Sequence, residues 1–120
     1  MAMTVDFEIK QGSTYTHKFC YRYSDTKDPV DLTGYTVRMQ MRPALFSDVV
    51  LFEADSAQGS PYLFILSPEE GTVLLDIPAA VTETFTFPNA VFDIEVEDNF
   101  GDVSRIAEGS VFISYEVTRG

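Results

Sequence analysis

The feature that most constrains this chain is a period of two. In "FDIEVE", Phe92, Ile94 and Val96 alternate with Asp93, Glu95 and Glu97, so one side of the segment is apolar and the other acidic. An extended strand puts i, i+2 and i+4 on one face, whereas a helix would scatter them around its circumference. The alternation recurs through Val5, Phe7 and Ile9, and again through Tyr15, His17, Phe19, Tyr21 and Tyr23. It returns in Tyr35, Val37, Met39 and Met41, in Val73, Leu75 and Ile77, and in Val111, Ile113, Tyr115 and Val117. Shorter apolar runs lie at 49–54 and 62–66.

Turn residues separate these runs: Gln11-Gly12-Ser13, the Asp-, Ser- and Pro-bearing stretch 24–29, Pro43, "DSAQGSP", Pro78 and "EDNFGD". Pro withdraws a ladder donor, and Asn and Gly accept the positive φ of hairpin turns. "AAVTETF", at 79–85, is the one plausible helix, about two turns long. "AEG", at 107–109, marks a bulge in the return strand. The pattern predicts an all-β protein, an antiparallel β-sandwich of seven to eight strands with at most one short helix near 79–85. A chain of 120 residues without repeat, linker or low-complexity segment is expected to form a single domain, 1–120.

Between the second run and the third lies a definite corner, Asp31-Leu32-Thr33-Gly34. The Asp31 carboxylate, and more weakly the Thr33 hydroxyl, are suited to capping the turn. Leu32 is placed to plug the core, and Gly34 to adopt a backbone angle that other residues avoid. The corner is expected to be architecture and not chemistry.

The charge balance narrows the partners. Nineteen acidic residues against eight basic ones give −11, a field that repels phosphate backbones and disfavours nucleic acid. No apolar stretch approaches the roughly 20 residues of a membrane-spanning helix, so no membrane partner is expected. "MAMTVD" lacks the basic and apolar run of a secretory signal. A lone Cys20 allows no internal disulfide and no cysteine metal cluster, which suits a reducing cytoplasm.

Catalysis finds little support in these residues. His17 is the single histidine and falls on an apolar strand face among Tyr15, Phe19 and Tyr21, the setting of an ordinary packed histidine. Cys20 lies on the other side of that strand, with Lys18 and Arg22, in no nucleophile motif. The acids Asp93, Glu95 and Glu97 form a row along a pleated face, which does not converge as calcium ligands must. The expectation is therefore no enzyme, no metal and no cofactor. Arg38 and Arg42 form a small basic strip that would complement the Asp93, Glu95 and Glu97 row of a neighbouring copy, in competition with pairing inside the chain. The stretch 44–61 reads as a long loop, and Phe46, Phe52 and Phe64 as exposed aromatics suited to contacts. Tyr15, Tyr21, Tyr23, Tyr35 and Tyr62 leave a carbohydrate-binding module as an alternative, although most fall on inward faces and no Trp accompanies them.

Four stretches carry a resemblance: "FEIKQGSTYTHKF", "DPVDLTGYTVRMQMR", "GTVLLDIPAAVT" and "FDIEVEDNFGDVSRIAEGSVFISYEVTR". In that order they resemble small tailed-phage virion proteins, those built like the immunoglobulin-like N-terminal domain of phage baseplate upper proteins. The marks are the Gly-bearing break after the first strand, the Asp-Leu-Thr-Gly corner, and a closing hairpin whose return strand ends in "VTR" at 117–119. Where such domains carry Gly-x-Tyr before the Asp-x-Glu strand, this chain has Pro88-Asn89-Ala90-Val91-Phe92. The resemblance implies an immunoglobulin-like sandwich that serves assembly in the tail or baseplate–fibre apparatus. It implies multiple copies, other phage structural proteins as partners, and residence in the virion after synthesis in the host cytoplasm. Capsid decoration or a head fibre is the alternative on the same fold.

Overall fold

The computed structural model describes residues 2–118. Met1, Gly120 and the Arg119 of the "VTR" ending lie outside the described residues. Six strands form the larger sheet: β1 (Met3–Thr4), β2 (Phe7–Lys10), β4 (Thr36–Arg42), β5 (Phe52–Asp55), β8 (Asn89–Glu97) and β9 (Val103–Ser114). The smaller sheet holds β3 (Tyr15–Cys20), β6 (Leu63–Ser67) and β7 (Thr72–Ile77), and one helical turn, α1 (Ala79–Thr82), follows. The protein is an all-β sandwich. Strand order is β1-β9-β8-β4-β5 in one sheet, with β2 also on β9, and β3-β7-β6 in the other. That order matches the immunoglobulin-type arrangement, in which strands C, F and G pair in one sheet and B, E and D in the other.

The alternation becomes burial. Val37, Met39 and Met41 of β4, Val73, Leu75 and Ile77 of β7, and Phe92, Ile94 and Val96 of β8 are all buried between the sheets. Ile9, Phe19, Leu32 and Leu63 complete the centre of one continuous core. Each such side chain contributes about 1.5–3 kcal/mol on leaving water, so the pattern that dictates the strands also drives the sheets together.

The strand count rises to nine among the described residues because the N-terminal run divides. β1 and β2 both pair parallel to β9, with Met3 opposite Ala107 and Phe7 opposite Val111. Val5 donates its N–H to the Glu108 carbonyl at 2.9 Å, and the Asp6 carboxylate accepts from the Ser110 N–H at 3.0 Å. Gly109 makes this crossing possible, since a Cβ there would collide with the Val5 carbonyl oxygen. Next to it the β8–β9 register slips, leaving Ile106 as the extra residue, so Ile106 and its neighbour Ala107 are both buried. The bulge thus sits just before "AEG".

Several boundaries differ from the sequence expectation. β9 stops at Ser114, leaving Tyr115 and Val117 exposed instead of inward. β3 stops at Cys20, so Tyr23 is exposed beside a turn. The helix is one turn rather than two, and the buried Phe85 beyond it caps the core. Thr82 ties that turn to the first loop, donating to the Ser13 carbonyl and accepting from the Gly12 N–H.

The stretch 44–61 is not a loop throughout. β5 pairs antiparallel with β4, followed by a 3₁₀ turn at Ser56–Gln58, in which the Ala57 N–H donates to the Asp55 carboxylate at 2.9 Å. Phe52 and Ala54 alternate into the core from this edge strand.

Candidate functional site

The corner is built as its residues suggest. Thr33 donates both its N–H and its hydroxyl to Asp31 Oδ1, at 2.9 and 2.6 Å, and these bonds hold the Asp31 carboxyl below its ordinary range. Leu32 is fully buried, donates its N–H to the Pro68 carbonyl at 2.7 Å, and accepts from Tyr35 N–H at 3.0 Å. Gly34 has φ +83°. The bonds of Asp31, Leu32 and Thr33 hold the turn, and β4 starts two residues after Gly34.

His17 is half-buried in an aromatic stack, 4.4 Å from Phe19 and 5.9 Å from Phe7 between ring centres. Its Nδ1 lies 3.3 Å from the Tyr15 hydroxyl. Burial pushes the imidazole below its ordinary value and the Tyr15 phenol up to about 12, so both rings are held neutral. Cys20 is half-buried at the end of the same strand, in register with Thr72.

The outer face of the larger sheet carries the chemistry that distinguishes this molecule. Across the strands, one row runs Asp55, Arg38, Glu95, Arg105, alternating in sign. The next runs Glu53, Gln40, Asp93, Glu108, and the third runs Arg42, Val91, Ser110. Arg38 donates to Glu95 at 3.1 Å and to Glu97 at 2.9 Å, and these carboxylates raise its guanidinium pKa. Arg105 bonds Glu108 at 3.1 Å and lies 3.6 Å from Asp93. Burial, reinforced by Glu95, raises the Asp93 carboxyl above its ordinary value, and the Arg105 charge offsets only part of that.

Arg38 and the row Asp93, Glu95 and Glu97 are therefore neighbours inside one chain. Their charges are largely used there, instead of standing open for another copy. Such half-exposed cross-strand pairs contribute about 0.2–1 kcal/mol each, enough to fix register and too little to define a binding site. Among the described residues no group of three or more His, Cys, Asp or Glu side chains is arranged to hold a metal ion. No helix among them is long and apolar enough to cross a membrane.

Arg42 behaves differently from Arg38. Its Nε and Nη2 donate to Gln40 Oε1, at 3.2 and 2.8 Å, and its Nη1 donates to the Ser47 carbonyl at 2.7 Å. The guanidinium thus braces the turn after β4. Ser47 N–H closes that turn on the Ala44 carbonyl at 3.1 Å, and Ser47 Oγ accepts from Val49 N–H at 3.1 Å. The braced turn holds Leu45 and Phe46 in solvent, 74% and 93% exposed. Beside it a groove of about 400 Å³ opens, lined by Leu45, Val91, Arg42, Asp93, Arg105 and Glu108 among others.

Of the three aromatics expected at a contact surface, Phe46 alone is fully presented. Phe52 is buried against Tyr62 and Phe85, because its place on β5 turns it inward. Phe64 is half-buried on β6. Leu45, Val49 and Val50 are also exposed here, within the 44–61 stretch expected to make contacts but not among the residues named individually. The signal was present: "ALFSDVV" follows a strand-ending proline and carries large apolar residues without alternation. Phe112, 52% exposed on β9, and Phe100, 87% exposed at the β8–β9 turn, were likewise missed.

No family model matches this chain, and comparison with curated proteins finds no significant relative.

Proposed function

We propose that this chain is a bacteriophage virion structural protein, an assembly or adaptor module of the tail or baseplate–fibre apparatus that works as multiple copies. The reading starts from the resemblance of the Gly-bearing break, the Asp31–Gly34 corner and the closing hairpin to phage sandwich modules. The observation that carries it furthest is the braced turn at Leu45 and Phe46. Large apolar residues held rigidly in water cost solubility, and such patches mark contact surfaces. The surrounding sheet is polar and internally ion-paired, a rim suited to framing an apolar anchor. Fold and role are separable, so the assignment to a virion rests on the resemblance and the contact surface together.

Capsid decoration or a head fibre is the alternative that the same sandwich serves equally well. Immunogold labelling of particles of the encoding phage, with an antibody to the purified protein, separates the two. Gold at the tail tip or baseplate is the expected result. Gold on the head moves the module to the alternative, and intact particles without gold or a blot signal contradict both.

A further inference from the structure

We propose that the open edge of β3 is a strand-addition site for an extended acidic segment of another protein. The segment's backbone pairs with Thr16, Lys18 and Cys20, and its carboxylates meet Lys18 and Arg22. The inference stands on the geometry of the smaller sheet and is independent of the virion reading.

The ladder fixes which groups are open. Tyr21 donates its N–H to the Gly71 carbonyl at 2.8 Å, and Phe19, His17 and Tyr15 follow in the same register against Val73, Leu75 and Ile77. In an antiparallel pair, bonded residues alternate with residues whose backbone groups face away. The N–H and carbonyl groups of Thr16, Lys18 and Cys20 therefore point to the outer edge, where no strand among the described residues pairs with them. The other side of β7 agrees. Asp76 donates its N–H to the Tyr62 carbonyl at 2.8 Å, so the even-numbered residues of β7 serve β6 and the odd-numbered ones serve β3.

Open edges invite foreign strands, and proteins blunt them by shortness, prolines, bulges or cover. β1 and β2 are two and four residues long. On β5 the Asp55 carbonyl is taken by the Ser60 N–H at 3.2 Å. β6 lies between Pro61 and Pro68, and its register slips after Ile65. β3 runs for six residues without proline or bulge, and Lys18 is its one charged guard.

Charge selects the occupant. Lys18 is exposed and stands opposite Leu74, so it meets no carboxylate directly across the ladder. Arg22 continues the extended path, bridged to Pro29, and its Nη1 donates to the Lys27 carbonyl at 3.2 Å. Neither forms an ion pair among the described residues, whereas Arg38 and Arg105 both do. The nearby Asp76 carboxylate is bonded to the Thr16 hydroxyl at 3.2 Å, at the other end of the strand. Two unpaired cations four residues apart face the same way on an extended chain, and they fit carboxylates with the same spacing. Inward, the added strand would run beside the half-buried Tyr15 and His17, which calls for apolar residues there. The occupant thus alternates, acidic or polar outward and apolar inward. A second copy is disfavoured, because the chain carries −11 and repels itself.

Amide NMR of the full chain, titrated with the peptide Ac-VEVTVEV-NH2, tests the proposal. The Thr16, Lys18 and Cys20 amides are expected to exchange freely at first, then to shift and gain protection as peptide is added. Ac-VKVTVKV-NH2, which sets like charges against Lys18 and Arg22, is expected to bind at least about tenfold more weakly. The acidic peptide N-methylated at its second, fourth and sixth residues cannot donate to the edge and is expected not to bind. Lys18→Glu, at an exposed position outside the core, is expected to melt like wild type and to reverse the preference between the two charged peptides. Absence of shifts at millimolar acidic peptide overturns the proposal, as do shifts confined to β5 or β6, or equal binding of the N-methylated form. Protection of the three amides that rises with protein concentration alone would make a second copy the occupant and overturn the acidic partner.

Discussion

His17 shows how one residue can look catalytic and act as packing. Its imidazole stacks between Phe7 and Phe19 with burial holding its pKa below the ordinary 6.5. The unfolded chain therefore takes up the proton at a higher pH than the folded one. Between those two values the unfolded state binds more protons, so the stability His17 contributes is present above pH 6.5 and lost as pH falls through the folded value. Urea midpoints of wild type and His17→Phe should thus diverge as pH falls from 7.5 to 5, with the variant losing less stability than wild type. Parallel loss in both proteins would show that His17 titrates as if exposed. Asp93 has the opposite sign. Its raised pKa means that charging it opposes folding, so its contribution weakens as pH rises through the folded value. Asp31, held low by its bonds from Thr33, contributes stability that is present above pH 3.8 and lost as pH falls through its lowered folded value.

At the scale of elements, the least obvious device is the crossing of β1 and β2 over Gly109. Two short parallel segments are held to β9 by the Val5–Glu108 bond and the Asp6 cap on Ser110. Gly109→Ala would thrust a methyl group into the Val5 carbonyl, so β1 is expected to detach while the β8–β9 pairing survives. Hydrogen exchange reads this directly. The Val5 amide should lose its protection in Gly109→Ala while β8 amides keep theirs, and unchanged Val5 protection would contradict the crossing. None of this was legible in the sequence, because the partner of Val5 lies over a hundred residues away and pairing direction leaves no local mark. β4, β7 and β8 were legible because each buries one face and is ended by a turn residue. β5 was half legible. Phe52 and Ala54 alternate, but the apolar Val49, Val50 and Leu51 before them blur the period, and Phe52 reads as exposed when 44–61 is taken for a loop. The corner was legible in full, since Asp31, Leu32, Thr33 and Gly34 act within one turn. Of the exposed turn and the groove beside it, Phe46, Arg42 and Asp93 were legible, whereas the brace between Arg42 and the Ser47 carbonyl depends on the turn's three-dimensional path.

The whole molecule combines a hydrophobic sandwich, a strongly acidic exterior and one braced apolar turn. The proposed connector role asks of the sandwich only that its core be complete within one chain, and the buried residues of both sheets form one continuous core. The most direct measurement of the proposed role is quantitative mass spectrometry of purified virions from the encoding phage, calibrated against the major capsid protein. Several copies of this chain per particle, remaining with the particle through density-gradient purification, is the predicted result. Abundant protein in the infected lysate with none in the purified virions would contradict the account.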